Sequence, residues 1–231
     1  MYLIGLTGNI ATGKSAVGRM LTELGARVID ADAIAHQVTA KGQPAWLSIV
    51  AEFGEGILRP DGEVDRPKLG ALVFADPAAL QRLEAIVHPA VLERIAELLA
   101  QATEPVVVLD AIKLMESGFA DLCDAVWVVT CSPEQQLARL QRRRGMSEAE
   151  ARLRIEAQPP QAEKIARADV VIDNSGSLAQ TRRQVAQAWA RIPLSPDTLH
   201  QLEVSGLNPP TPAPRPPSAG TARPRRSAHT G

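Results

Sequence analysis

Apolar residues come in two rhythms along the first 192 positions. Short runs rich in β-branched residues, Tyr2–Thr7, Ala26–Ile29, Val106–Asp110, Ala125–Val129 and Val170–Ile172, have the length and composition of strands. Between them apolar positions recur at helical spacing, as from Ser15 to Leu24. A parallel sheet with crossover helices requires this alternation, so the pattern predicts an α/β fold of five strands flanked by helices. Several helix starts are marked chemically. Asp76-Pro77 and Ser132-Pro133 each put a capping side chain before a proline at the first helical position. Ser147 with Glu150, and Ser177 with Gln180, have the spacing of capping boxes.

Two stretches do not fit a simple crossover. The chain between the second and third strands is far too long for one, and it carries helical patterns at Ala45–Phe53, Lys68–Phe74 and Ala78–Ala102. It predicts a helical insertion, residues 36–104, suited to binding a second substrate. After the fourth strand, residues 139–167 are arginine-rich and short. Arg139, Arg142, Arg143 and Arg144 there could form a solvated helix face or a lid that neutralises phosphate. Half of the 18 prolines lie beyond Ile192, and from Val204 onward there are arginines (215, 223, 225, 226) and no acids. Such a segment cannot bury enough apolar area to offset its ordering entropy, so 193–231 is expected to be a disordered tail without a catalytic role.

Composition narrows the class. With 231 residues, 45% apolar and 22% charged, the chain can bury the core of one α/β domain with insertions. A formal net charge of −1 gives no general attraction to nucleic acid or to an anionic membrane, so an anionic ligand needs a local cluster of donors. Cys123 and Cys131 match no metal spacing and read as small core residues in a reducing compartment. Met1 to Gly13 lacks a basic flank and is too short to span a bilayer; a cytoplasmic location is the expectation. A monomer is expected, with an oligomer left open.

The chemistry begins at Gly8-Asn9-Ile10-Ala11-Thr12-Gly13-Lys14-Ser15. This octapeptide matches G-x-x-x-x-G-K-S, with an apolar strand leading in and a helix leading out. In such a loop glycine lets backbone N–H groups close on the phosphates, and the helix N-terminus adds partial positive charge. Lys14 reaches the β- and γ-phosphates, and the Ser15 hydroxyl joins the Mg²⁺ shell. ATP or GTP with Mg²⁺ follows, while the reaction stays open. The core would then comprise 1–35, 105–138 and 168–192. No N-K-x-D guanine reader occurs, Asp173-Asn174-Ser175-Gly176 fits D-x-x-G only after the last strand, and no L-S-G-G-Q signature is present, which leaves small-molecule kinases. The second strand ends in Val28-Ile29-Asp30-Ala31-Asp32, at the edge where parallel sheets bind ligands. If the strand persists, both acids share a face. Either could accept a hydroxyl proton, help hold Mg²⁺ through water, or cap a helix starting at Ala33. Asp110 is a magnesium-side acid or a cap. His88, before Pro89, reads on its own as a residue at a helix start, and Trp46, Trp127 and Trp189 read as packing residues.

From Met1 to about Trp189 the chain resembles the dephospho-coenzyme A kinase family. The resemblance rests on G-L-T-G-N-I-A-T-G-K-S at 5–15, V-I-D-A-D-A-I-A at 28–35, I-V-H-P-A-V at 86–91, R-L-Q-R-R at 139–143 and A-D-V-V-I-D-N-S-G at 168–176. It implies a P-loop NTPase-like 2-3-1-4-5 parallel sheet, a helical coenzyme-binding insertion and a mobile lid. The implied reaction is ATP-dependent phosphorylation of the 3′-hydroxyl of dephospho-CoA. It also implies nucleotide contacts at Gly8, Ala11, Thr12, Gly13, Lys14, Ser15, Ala16 and Asn174, a base at Asp32, a lid arginine at Arg143 and coenzyme binding at His88. Two departures stand out. Asp110-Ala111-Ile112-Lys113-Leu114-Met115-Glu116 replaces a common D-x-P-L-L-F-E, and Gln161 stands where many members are basic, with Lys164 the nearest lysine. The alternatives are another P-loop small-molecule kinase, for a nucleoside monophosphate or a sugar acid, and a regulatory nucleotide binder that has lost catalysis.

Overall fold

The computed structural model describes residues 1–194; the region predicted as a tail lies outside the described residues from Ser195 onward. The sheet has five parallel strands, β1 (Tyr2–Thr7), β2 (Arg27–Asp30), β3 (Val106–Asp110), β4 (Ala125–Thr130) and β5 (Val170–Asp173). Their order is β2-β3-β1-β4-β5, with registers such as Ile4 beside Val108 and Leu6 beside Trp127. The interior strands β3, β1 and β4 are buried almost throughout, as a parallel sheet covered on both faces requires.

Period-two alternation sorts the strand residues into two cores. Ile4, Leu6, Val106, Val108 and Trp127 face α1 (Lys14–Glu23), where Val17 and Leu21 pack, and α9 (Leu178–Trp189), where Val185 and Trp189 pack. Leu3, Val107, Leu109 and Val128 face the other way. They meet Ile34 of α2 (Ala31–Val38) and Val91 and Ile95 of α5 (Pro77–Ala100). Leu194 packs on the first core, so the packed chain extends two residues past Ile192.

Residues of the long connection form a third, smaller core. Ile49 of α3 (Pro44–Phe53), Leu69 and Val73 of α4 (Arg66–Ala75), and Ile57, Val64 and Ala79 gather there. Helix α5 bridges this cluster and the sheet. It runs straight through His88-Pro89, so the expectation of a helix start at His88 is not met. Asp76 accepts from the Ala78 N–H and starts this helix with Pro77 behind it, and the interior proline sits in a helix packed on both its halves.

Beyond β4 come α6 (Pro133–Arg144), α7 (Glu148–Glu156) and α8 (Gln161–Ala166). The Ser147/Glu150 and Ser177/Gln180 capping boxes both form. Trp127 and Trp189 are buried, and the Trp46 indole donates to the Gly62 carbonyl at 3.1 Å, so all three tryptophans serve packing. Among the described residues no helix is long and apolar enough to cross a membrane. A chain ending at Leu194 is expected to keep its melting temperature and turnover, because the three cores found among the described residues are complete at Leu194. A fall of more than about 4 °C on truncation, on the order of 1 kcal/mol for a chain of this size, would show that later residues dock on the core.

Candidate active site

The loop after β1 owes its shape to residues that permit it. A Cβ on Gly8 would lie 2.4 Å from the Val129 carbonyl oxygen, and Gly13 has φ +97°, so each position requires glycine. Ala11 also has positive φ, at 60°. The buried Thr12 hydroxyl donates to the Asn9 carbonyl at 2.9 Å and closes the loop on itself. Lys14 opens α1 directly after Gly13, and Ser15 is exposed at its first turn.

A loop that turns its N–H groups inward turns its carbonyls outward, where they need donors. Arg139 of α6 supplies them, donating to Ala11 O at 3.1 Å, Thr12 O at 2.8 Å and Asn174 O at 2.6 Å. Asn174, 2% exposed after β5, donates to Thr12 O at 2.7 Å and accepts from the Thr181 hydroxyl at 2.8 Å. The Gln136 amide donates to Ile10 O, while Gln158 accepts from the Ile10 N–H at 2.7 Å and Asn9 donates to Pro159 O. Thus 139–167 is tied to the phosphate loop at Arg139 and again at Gln158-Pro159, with α7 between the two ties. Arg143 lies on the last turn of α6; its side chain falls outside the described part of the structure.

The strand ends carry the acids. β2 stops at Asp30, so Asp30 and Asp32 do not share a strand face. Asp30 accepts from the Ala33 N–H at 2.9 Å and caps α2, which starts at Ala31 rather than Ala33. That leaves Asp32 on the first helical turn, half-buried, accepting from the Ile112 N–H through Oδ2 at 3.2 Å. Asp110 pairs with the Lys14 ammonium, with no role as a helix cap. Burial pushes the Asp110 carboxyl above its ordinary range, the Lys14 charge and hydrogen bond oppose that, and Asp30 and Asp32 add to it. Among the described residues no group of three or more His, Cys, Asp or Glu could hold a metal ion. The cysteines are free, and burial pushes the Cys123 thiol up to about 12.

Next to Asp32 a cavity of about 390 Å³ opens toward the insertion. Its polar lining includes Asp32, Arg66, Glu84, His88 and Lys113, and its apolar lining includes Ile49, Leu69, Val73 and Leu83. His88 stands 6.2 Å from the Phe119 ring, centroid to centroid. Asp32 thus lies on the cavity that His88 lines, the segment 110–112 links it to Lys14 through the Asp110 pair and the Ile112 N–H, Ser15 follows Lys14 on α1, and Asn174 backs the loop from behind. The contribution of Arg139 was not read from the sequence. It sits one helical turn before Arg143, and nothing in the spacing says which arginine turns inward.

Gly13→Ala should lower Mg·ATP affinity by at least about tenfold, because a Cβ there lies 2.0 Å from Asn174 Nδ2 and needs a left-handed backbone. Titration with a fluorescent ATP analogue measures it, and unchanged affinity would show that the Asn174 contact does not shape the loop.

Comparison with known proteins agrees with this geometry. The family model described as CoaE, dephospho-CoA kinase, matches residues 2–180. A dephospho-CoA kinase of Symbiobacterium thermophilum is 54% identical over 192 residues, covering 82% of this chain and 80% of that protein. The Geobacter sulfurreducens enzyme of the same name is 49% identical, covering 83% and 98%. Among solved structures, TT1252 from Thermus thermophilus aligns with TM-score 0.74 at 34% identity, over 83% of this chain and 97% of that one. Dephospho-CoA kinase from Campylobacter jejuni aligns with TM-score 0.58 at 27% identity, over 88% and 98%. With a phosphate loop, a family match over most of its length and relatives at about half identity, the chain belongs to the dephospho-CoA kinase family.

Proposed function

We propose that the phosphate loop and Asp32 are the two halves of one phosphoryl-transfer site. The reaction is ATP-dependent phosphorylation of the ribose 3′-hydroxyl of dephospho-CoA, giving coenzyme A and ADP, the final step of coenzyme A synthesis. One observation carries the assignment of residues: Asp32 and residues of the helical insertion line one cavity, and the Ile112 N–H holds Asp32 next to the segment whose Asp110 pairs with Lys14. Its polar lining residues suit the nucleotide end of the acceptor, and its apolar ones suit the pantetheine arm.

ATP phosphates are assigned to the N–H groups of Gly8 and Ala11–Ala16 and to Lys14, which exchanges the Asp110 carboxylate for phosphate oxygen. Asp32 spends Oδ2 on the Ile112 N–H, and Oδ1 has no donor among the described residues. Oδ1 is thus the atom assigned to receive the proton of the 3′-hydroxyl. Oxygen donors at the loop fit Mg²⁺: the exposed Ser15 hydroxyl would hold it together with the phosphates, with Asp110 alongside. When bound, the ion offsets negative charge on the phosphates. Arg143 is assigned to the transferred phosphoryl group, Asn174 to the back of the nucleotide site and His88 to the acceptor. Residues 36–104 are assigned to acceptor binding, 139–167 to the lid, and 1–35, 105–138 and 168–192 to the nucleotide core.

ADP release with dephospho-CoA, nucleoside monophosphates and sugar acids as acceptors tests the function, and preference for any acceptor other than dephospho-CoA would overturn it. Asp32→Asn should bind both substrates and lose about 10²–10⁴ in turnover, since the amide cannot take the hydroxyl proton. If high Mg²⁺ restores the activity, Asp32 serves the metal instead; full turnover would end both assignments.

A further inference from the structure

Lys164 is 4% exposed on the short helix α8, an unusual place for an ammonium group. Its Nζ donates to the Ile112 carbonyl at 2.6 Å and lies 3.4 Å from Glu116, whose side chain is 40% exposed. Burying a cation against one carbonyl and a half-solvated carboxylate brings little net stability. The benefit of the contact must lie in what it holds in place.

It holds residue 112. The Ile112 carbonyl also accepts from the Thr7 hydroxyl at 3.0 Å, so both of its lone pairs are engaged by donors from distant parts of the chain. The Ile112 N–H donates to Asp32 Oδ2. The two peptide groups flanking the Ile112 Cα are thereby fixed, one by Lys164 and Thr7, the other by Asp32, while the isoleucine side chain stays 39% exposed. This residue is held for its backbone. Just before it, Ala111 N–H donates to Leu6 O and Asp110 pairs with Lys14. One short segment therefore connects the phosphate loop, the acid of α2 and the base of the lid.

We propose that Lys164 is a positioning residue for Asp32, acting through the Ile112 backbone to aim the carboxylate at the acceptor hydroxyl. The proposal rests on the reading of Asp32 as the acceptor-facing base. Lys164→Met keeps the length and apolar contacts of the side chain and removes its charge and donors. It should lower kcat about 10- to 100-fold, as small misplacements of a reacting group do, with the KM for ATP within about twofold of wild type.

A double-mutant cycle separates positioning from packing. In the Asp32→Asn background, Lys164→Met should change kcat by less than about threefold, because the group it aims is already gone. An equal loss in both backgrounds would assign Lys164 to general structure, and wild-type turnover in folded Lys164→Met would overturn the proposal. Wild-type turnover in Asp32→Asn alone would instead remove the reading of Asp32 on which the proposal depends. Should Lys164→Met not fold, Lys164→Arg carries the same cycle: it keeps charge and donors but moves the donor atoms, and the same coupled loss, smaller in size, is expected.

Discussion

Outward-facing carbonyls of the phosphate loop are the constraint on which the rest of the structure depends. A loop that offers its N–H groups to an anion must leave its C=O groups pointing into protein, and unsatisfied carbonyls there would each cost about 1–3 kcal/mol. Arg139 and Asn174 meet the carbonyls of Ala11 and Thr12, and Gln136 meets that of Ile10. All three donors come from more than 120 residues further along the chain. Sheet order makes this possible, since β4 and β5 on one side of β1 deliver α6 and Asn174 directly behind the loop.

On the other side of β1 the strand ends bring three carboxylates together, and their mutual repulsion is relieved in three different ways. Asp30 turns to the N-terminus of α2, Asp32 to the Ile112 N–H, and Asp110 to the Lys14 ammonium. Those separate partners give chemically similar acids different work. Asp30 is committed to capping α2, Asp110 is tied to the cation of the loop, and Asp32, on the cavity, keeps Oδ1 without a donor among the described residues. Lys164 extends the arrangement from the sheet to α8.

The sheet was legible because strand signals are local: every predicted strand appears within one or two residues of its place, and the caps at Asp76, Ser132, Ser147 and Ser177 all form. Where sequence reading failed, the deciding contact was a local cap in one case and tertiary packing in the others. Periodicity alone could not tell that β2 ends at Asp30, because a single capping bond decides it. Likewise, a proline preceded by histidine normally marks a helix start, but packing on both halves of α5 carries the helix through it. The inward turn of Arg139, among four nearby arginines, depends on carbonyls that the fold brings to it from residues 11, 12 and 174.

The measurement that bears most directly on this account is Mg·ATP affinity in Arg139→Met, alongside its melting temperature. Methionine keeps the apolar stem against the loop and removes the donors to three carbonyls. The account predicts that affinity falls by about 30-fold or more, some 2 kcal/mol, while the five-stranded sheet still melts cooperatively. Wild-type affinity in a folded Arg139→Met protein would contradict it, because the loop would then hold its shape without the support described.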